Sequence, residues 1–195
     1  QKPRLIVVTG PTASGKSAVA VALCKLIGGE VVSADSMQLY RGMDIGTAKA
    51  GEREREGVAH HMLDVLPPDM PCSAALYREL AMPVFRAIGA RGHKIVLCGG
   101  TGLYIDALTK PLSFARKGDP AVREELERVA AGEGGREELH RMLAREDPET
   151  AQRLHVNDVR RVIRALEVIR VAGRTLSQAH QQDAAGEADC EATIF

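Results

Sequence analysis

The octapeptide GPTASGKS, Gly10 to Ser17, fits the pattern G-x-x-x-x-G-K-[ST] and constrains the fold more than any other feature of this chain. Such a loop needs a buried strand to deliver the chain to its glycines and a helix to carry it away. Both are written into the flanks. Leu5 to Val8 (LIVV) is an unbroken apolar run of the kind found in parallel strands covered on both faces. Behind the loop, Val19, Leu23, Leu26 and Ile27 recur at helical spacing, and Gly28-Gly29 ends the repeat. In that frame Gly10, Pro11, Thr12, Ala13, Ser14, Gly15, Lys16 and Ser17 form a diphosphate cradle. Main-chain N–H groups from about Ala13 to Ser17 point at phosphate oxygens, helped by the helix dipole. Lys16 neutralises the terminal phosphate, and the Ser17 hydroxyl ligates Mg²⁺. The cradle does not say what the two phosphates carry.

The rest of the chain alternates strand and helix signals. EVVSAD (Glu30 to Asp35) and KIVLCGG (Lys94 to Gly100) read as strands, and HMLDVL (His61 to Leu66) as a less regular third. Between them Ser73 caps a helix with Leu76, Leu80, Val84 and Ile88 on one face and Pro83 as an expected kink. The texture changes at Asp119. Two Asp-Pro helix starts, at Asp119 and Asp147, flank a glycine-rich break at Gly132 to Gly135, with no strand signal from 117 to 156. NDVRRVIRALEVIRVAG then resumes a strong helix, with Asn157 or Asp158 as cap, Gly173 as stop and Val159, Val162, Ile163, Leu166 and Ile169 on its apolar face. CEATIF supplies a last strand. The expectation is an α/β fold: a parallel sheet with helices on both faces, built from 1–116 and 157–195, with a helical insertion over 117–156.

Charge and cysteine usage narrow the partners. Among 195 residues, 26 Lys and Arg balance 26 Asp and Glu, so no global field attracts nucleic acid and any polyanion site must be a local patch. No apolar run approaches the roughly 18 residues of a membrane span, and no signal-peptide pattern opens the chain. Cys24, Cys72, Cys98 and Cys190 lack C-x-x-C spacing and read as free thiols of a cytoplasmic protein.

Three further stretches carry chemistry-bearing residues. Asp35 follows a strand and therefore sits at the carboxyl edge of the sheet, where open α/β folds bind ligands; an Asp there also caps helices. Ser36, Gln38 and Tyr40 add hydroxyl and amide groups suited to a base edge. In GGTGLY (Gly99 to Tyr104), glycines let the backbone approach a ligand with the Thr101 hydroxyl between them, or form an ordinary strand-to-helix turn. Arg160, Arg161 and Arg164 form a basic stripe that fits phosphates or simply faces solvent. His60-His61 suggests a metal only superficially, since adjacent strand residues face opposite ways.

GPTASGKS, DSMQLYRGMDIGTAK, HHMLDV, CGGTGLYIDAL and NDVRRVIRALEV, in this order, resemble the tRNA dimethylallyltransferase (tRNA isopentenyltransferase) family from Leu5 to about Ser177. The resemblance implies a P-loop-kinase-like sheet with a helical insertion gripping the tRNA anticodon stem-loop. It implies transfer of dimethylallyl from dimethylallyl diphosphate to N6 of the adenosine 3′ of the anticodon, with Mg²⁺ as cofactor. Asp35, Lys16, Ser17 and Thr101 are the implied catalytic set. Asp35, Ser36, Met37, Gln38, Thr101, Arg123, Arg160, Arg161, Val162, Ile163 and Arg164 are the implied tRNA contacts. The family continues well past Phe195 and more commonly has Thr at position 17, so the resemblance implies a truncated or incompletely ordered chain with its metal-binding hydroxyl kept; a monomer is expected. An ATP-dependent small-molecule kinase and an AMP-prenylating transferase are the alternatives. The first lacks an arginine-rich lid signal, and the second has no use for the insertion.

Overall fold

The computed structural model describes residues 2–112, 118–184 and 186–195. They fall into two compact units, Gln1–Pro111 with Glu187–Phe195, and Leu112–Gly186.

The first unit is a parallel sheet. β1 (Arg4–Thr9) leads through the glycine loop into α1 (Lys16–Ile27), and β2 (Gly29–Ser33) follows at once. Next come a single helical turn, α2 (Glu52–Arg55), the two-residue β3 (His60–His61), α3 (Ala74–Ala90), β4 (Lys94–Gly99) and α4 (Gly102–Thr109); β5 (Glu191–Ile194) closes the unit. The strand order is β3-β2-β4-β1-β5, with every pairing parallel. Val7, Val32, Val96 and Leu97 are fully buried, which explains why the central strands read as continuous apolar runs rather than alternating ones. Register aligns Thr9 with Gly99 and Ser33 with Cys98, so β1, β4 and β2 end together at one edge.

Two helix faces differ from the sequence reading. α1 buries Ala20, Val21 and Cys24, while Val19 and Leu26 are exposed. The sequence KSAVAVALCKLI is apolar nearly all round, so spacing alone does not choose a face, and the small residues admit the helix closest to the sheet. α3 buries Ala74, Tyr77, Ala81, Phe85 and Ile88, a stripe displaced by one residue from Leu76, Leu80 and Val84, and Pro83 lies inside the helix without ending it. Ser73 caps α3 as expected, its hydroxyl accepting from the Leu76 N–H. The strand expected over 61–66 stops at His61, because Met62 and Asp64 take left-handed backbone conformations.

The second unit is helical throughout its described residues: α5 (Pro120–Ala131), α6 (Gly135–Glu146), α7 (Pro148–Arg153), α8 (Val159–Ala172) and α9 (Leu176–Ala184). Asp119 and Asp147 cap α5 and α7 with their carboxylates, as the Asp-Pro pairs predict. Leu126, Leu139, Leu143, Val162, Ile163 and Leu166 form one core. This unit is wider than the 117–156 segment expected: α8 belongs to it, because the apolar face of α8 packs against α5 and α6 rather than rejoining the sheet. The expected boundary at 116/117 lies outside the described residues. Among those residues no helix is long and apolar enough to cross a membrane.

Candidate functional site

The glycine loop is built from backbone. Ala13 and Gly15 both have positive φ, 63° and 82°, and together they turn the backbone sharply at the start of α1, the kind of turn that forms an anion-binding concavity. Only glycine takes the second of these without strain. The Ser14 N–H bonds the Pro11 carbonyl at 3.4 Å, and Lys16 Nζ folds back onto the same carbonyl at 3.0 Å. Gly10, Pro11, Thr12 and Ser14 lie in this turn, and Ser17 in the first turn of α1.

Across from the loop, the sheet edge carries Asp35. The carbonyl of Ala34 passes so close to β4 that a Cβ on Gly99 would lie 2.3 Å from it. That close approach is what Gly99 provides. It lets the Thr101 N–H bond the Ala34 carbonyl at 3.1 Å, while the Thr101 hydroxyl accepts from the Ser36 N–H at 2.9 Å. Asp35 Oδ1 accepts from the Met37 N–H at 2.9 Å, which commits one carboxylate oxygen to the turn. Thr101 thus grips the backbone on either side of Asp35. Lys16, Ser17, Asp35, Met37 and Gln38 line one cleft of about 540 Å³, together with Thr47, Ala48 and Ala50. Beneath it a cavity of about 20 Å³, bounded by Ser17, Ser33, Asp35, Gln38, His60 and Cys98, is large enough for one water. Burial pushes the Cys98 thiol above its ordinary pKa.

Gln38 is anchored through its side-chain amide. Its Oε1 accepts from Ser33 Oγ at 2.9 Å, and its Nε2 donates to the carbonyls of Thr47 and Ala48 at 3.1 and 3.3 Å. The amide holds loop 36–50 closed. His60 and His61 do face opposite ways: His60 Nδ1 meets the Val58 carbonyl, and His61 Nε2 meets Glu30 at 2.5 Å. No group of three or more His, Cys, Asp or Glu is placed to hold a metal among the described residues. The four cysteines are free, and all but Cys72 are buried.

In the helical unit, the arginines are organised by a residue without an expected role. Glu167 is 1% exposed and accepts both Arg123 Nε and Arg123 Nη2 at 2.8 Å, a bidentate pair, with Arg164 Nη1 at 3.4 Å. Arg160 and Arg161 are exposed on α8, and Arg161 approaches Asp158 at 4.0 Å. Val162 and Ile163 do not present side chains to a ligand, since both are packed into the core of the unit.

With that geometry established, comparison with known proteins decides the family. Residues 38–195 match the family model described as IPP transferase, and residues 3–69 match that of isopentenyl transferase. The chain belongs to the IPP transferase family. It is 54% identical over 177 residues to the tRNA dimethylallyltransferase of Geobacter metallireducens, covering 91% of this chain and 57% of that protein. It is 47% identical over 184 residues to that of Pelotomaculum thermopropionicum, covering 94% and 58%. Among solved structures, a eukaryotic dimethylallyltransferase acting on tRNA superposes with a TM-score of 0.82 at 26% identity, over 98% of this chain and 47% of its own. The tRNA delta(2)-isopentenylpyrophosphate transferase of Staphylococcus epidermidis gives a TM-score of 0.59 at 38% identity, over 98% and 62%. The chain spans a little over half the length of the curated relatives it matches. The fold is the P-loop-kinase-like α/β fold that the resemblance implied.

Within this IPP transferase fold, the residues present fit a magnesium ion. The Ser17 hydroxyl lines the cleft, and together with diphosphate oxygens it offers the hard oxygen donors Mg²⁺ prefers. Sequence reasoning gave no role to Lys49 or to Glu167. Both are charged residues inside quoted motifs, and nothing in the local pattern marks them as buried, since Asp64 and Arg123, which pair with them, lie 15 and 44 positions away.

Proposed function

We propose that this IPP transferase family member transfers a dimethylallyl group from dimethylallyl diphosphate to N6 of the adenosine 3′-adjacent to the anticodon in tRNA. The observation that carries the reading is the shared cleft, with Lys16 and Ser17 on one wall and the Asp35 carboxylate on the other. The glycine loop binds the diphosphate and orients its allylic carbon toward the sheet edge. Lys16 and the loop amides stabilise the charge that develops as the C1–O bond breaks and pyrophosphate departs with the bonding pair. Mg²⁺, held by Ser17, supplies further charge neutralisation on the diphosphate when bound. As N6 bonds to C1, the amine becomes strongly acidic, and Asp35 takes its proton. The adenosine must leave its stack to reach the cleft, as target bases of other base-modifying enzymes do. Arg160, Arg161 and Arg164 suit the phosphates of the stem-loop.

The test is direct. Intact protein given dimethylallyl diphosphate, Mg²⁺ and an anticodon stem-loop, with no ATP, should form prenylated adenosine and release one pyrophosphate per transfer. No prenylation there, together with phosphoryl transfer to an acceptor once ATP is supplied, would instead establish a kinase.

A further inference from the structure

The wall of the cleft that faces the glycine loop is locked by a buried lysine. Lys49 has a side chain only 4% exposed, and its ammonium donates three hydrogen bonds: to the Tyr40 carbonyl at 3.0 Å and to Asp44 Oδ1 and Asp64 Oδ1, both at 2.7 Å. Three donors meet three acceptors, so the group is fully satisfied. Burial alone would lower its pKa, but the hydrogen bonds to Asp44 and Asp64 outweigh that and raise it, so the lysine stays charged.

The three acceptors come from three places. Tyr40 lies early in loop 36–50, Asp44 within it, and Asp64 in the segment after β3. Asp64 is itself seated by its N–H to the Gln38 carbonyl and by Arg41 Nε on its own carbonyl at 3.0 Å. Lys49 therefore draws the loop together and fastens it to the sheet edge. Its neighbours along the loop do the lining: Asp35, Met37, Gln38, Gly46, Ala48 and Ala50 line the cleft, whereas Lys49 does not. Ala48 is held at φ 49°, a left-handed conformation that an alanine keeps only where its surroundings over-determine it.

We propose that Lys49 is a positioning residue for the transfer reaction, fixing the loop wall so that the Asp35–Gln38 segment meets the acceptor adenine while the glycine loop holds the diphosphate. The inference rests on the dimethylallyl-transfer reading. It assigns diphosphate affinity to one wall and acceptor geometry to the other, with Lys49 acting only on the second.

The experiment compares intact parent and Lys49→Met, a chain of similar length that cannot donate. Dimethylallyl diphosphate affinity is measured by calorimetry, and single-turnover transfer to a saturating anticodon stem-loop is measured per diphosphate-binding site. Lys49→Met should bind the diphosphate within about threefold of the parent and transfer at least on the order of tenfold more slowly, because small misplacements of reacting groups cost that much. A lysine that only stabilises the fold would lower the melting temperature and leave the rate per binding site unchanged. That result overturns the proposal, and so does an equal loss of affinity and rate. If Lys49→Met does not fold, Asp44→Asn decides, since Asp44 is 65% exposed and its loss removes one anchor. It should slow transfer severalfold with affinity kept, and parent-like transfer would overturn the proposal. A parent that binds the diphosphate yet prenylates no adenosine overturns the functional reading itself and the proposal with it.

Discussion

On the glycine-loop side of the cleft, the groups offered to a ligand are main-chain amides, shaped by the left-handed turns at Ala13 and Gly15, with Lys16 and Ser17 added at the end. On the opposite side the backbone is irregular. Its shape comes from side chains that reach in from elsewhere: Ser33 on Gln38, Thr101 on Ser36, and Asp64 on Lys49. The first wall is local in sequence and survives as a short motif. The second depends on hydrogen bonds that span as many as the 65 positions between Ser36 and Thr101. A backbone-built wall suits a ligand part that varies little, the diphosphate. A wall set by side chains can be shaped to one acceptor.

Lys16→Ala attacks the first wall alone and should have the largest effect on diphosphate affinity. Losing a charge-assisted contact of this kind costs roughly 1.5–3 kcal/mol, so dimethylallyl diphosphate affinity should fall about 10- to 100-fold, and transfer should slow with it. Calorimetry showing unchanged affinity would end the assignment of Lys16 to the diphosphate.

Glu30 tests whether the strand leading to Asp35 has an anchor of its own. It lies near the start of β2, 4% exposed, and accepts Arg91 through both oxygens with His61 and His93 beside it. The Arg91 hydrogen bond, with smaller help from the histidines, lowers its pKa from 4.5 to about 2 against the opposing effect of burial. A depressed carboxylate stabilises the fold above its unfolded pKa and loses that contribution as pH falls toward 2. Discounting for the partly exposed partners, the loss is roughly 2 kcal/mol. Denaturant titrations at pH 6 and pH 3 should therefore differ more for the parent than for Glu30→Gln, and equal differences would show that Glu30 does not anchor the strand.

The smallest effect is expected in the helical unit. Replacing Arg160, Arg161 and Arg164 by Gln leaves the buried Val162, Ile163 and Leu166 in place. Stem-loop affinity should weaken, and the salt slope of log K should shrink by up to about 0.9 for each phosphate that is no longer neutralised. Diphosphate affinity should hold. Identical slopes for parent and variant would remove the stripe from the RNA site.

These two walls also explain what the sequence made legible. The strand–loop–helix unit, the edge position of Asp35, the caps at Ser73, Asp119 and Asp147 and the final strand all follow from local patterns, and each stands in the structure. The buried faces of α1 and α3 were not legible, because several apolar residues compete and the sheet selects the smaller or better-placed ones. α9 was missed since LSQAHQQDA is mostly polar. The role of Gln38 as a tie across loop 36–50 was not legible, because the carbonyls its amide holds, those of Thr47 and Ala48, come together only in the fold. Glu167 has no local mark of burial either, since the arginine that covers it, Arg123, lies 44 positions away.

In the mechanism proposed for this chain, Asp35 belongs to the acceptor wall and has no share in holding the diphosphate. Asp35→Ala in the intact protein, assayed for dimethylallyl diphosphate affinity by calorimetry and for single-turnover prenylation of a saturating stem-loop, tests this most directly. Removing a positioned base should slow transfer by about 10²–10⁴ while the affinity stays within about threefold of the parent. A transfer rate within about threefold of the parent, or a loss of diphosphate affinity as large as the loss of rate, would contradict it.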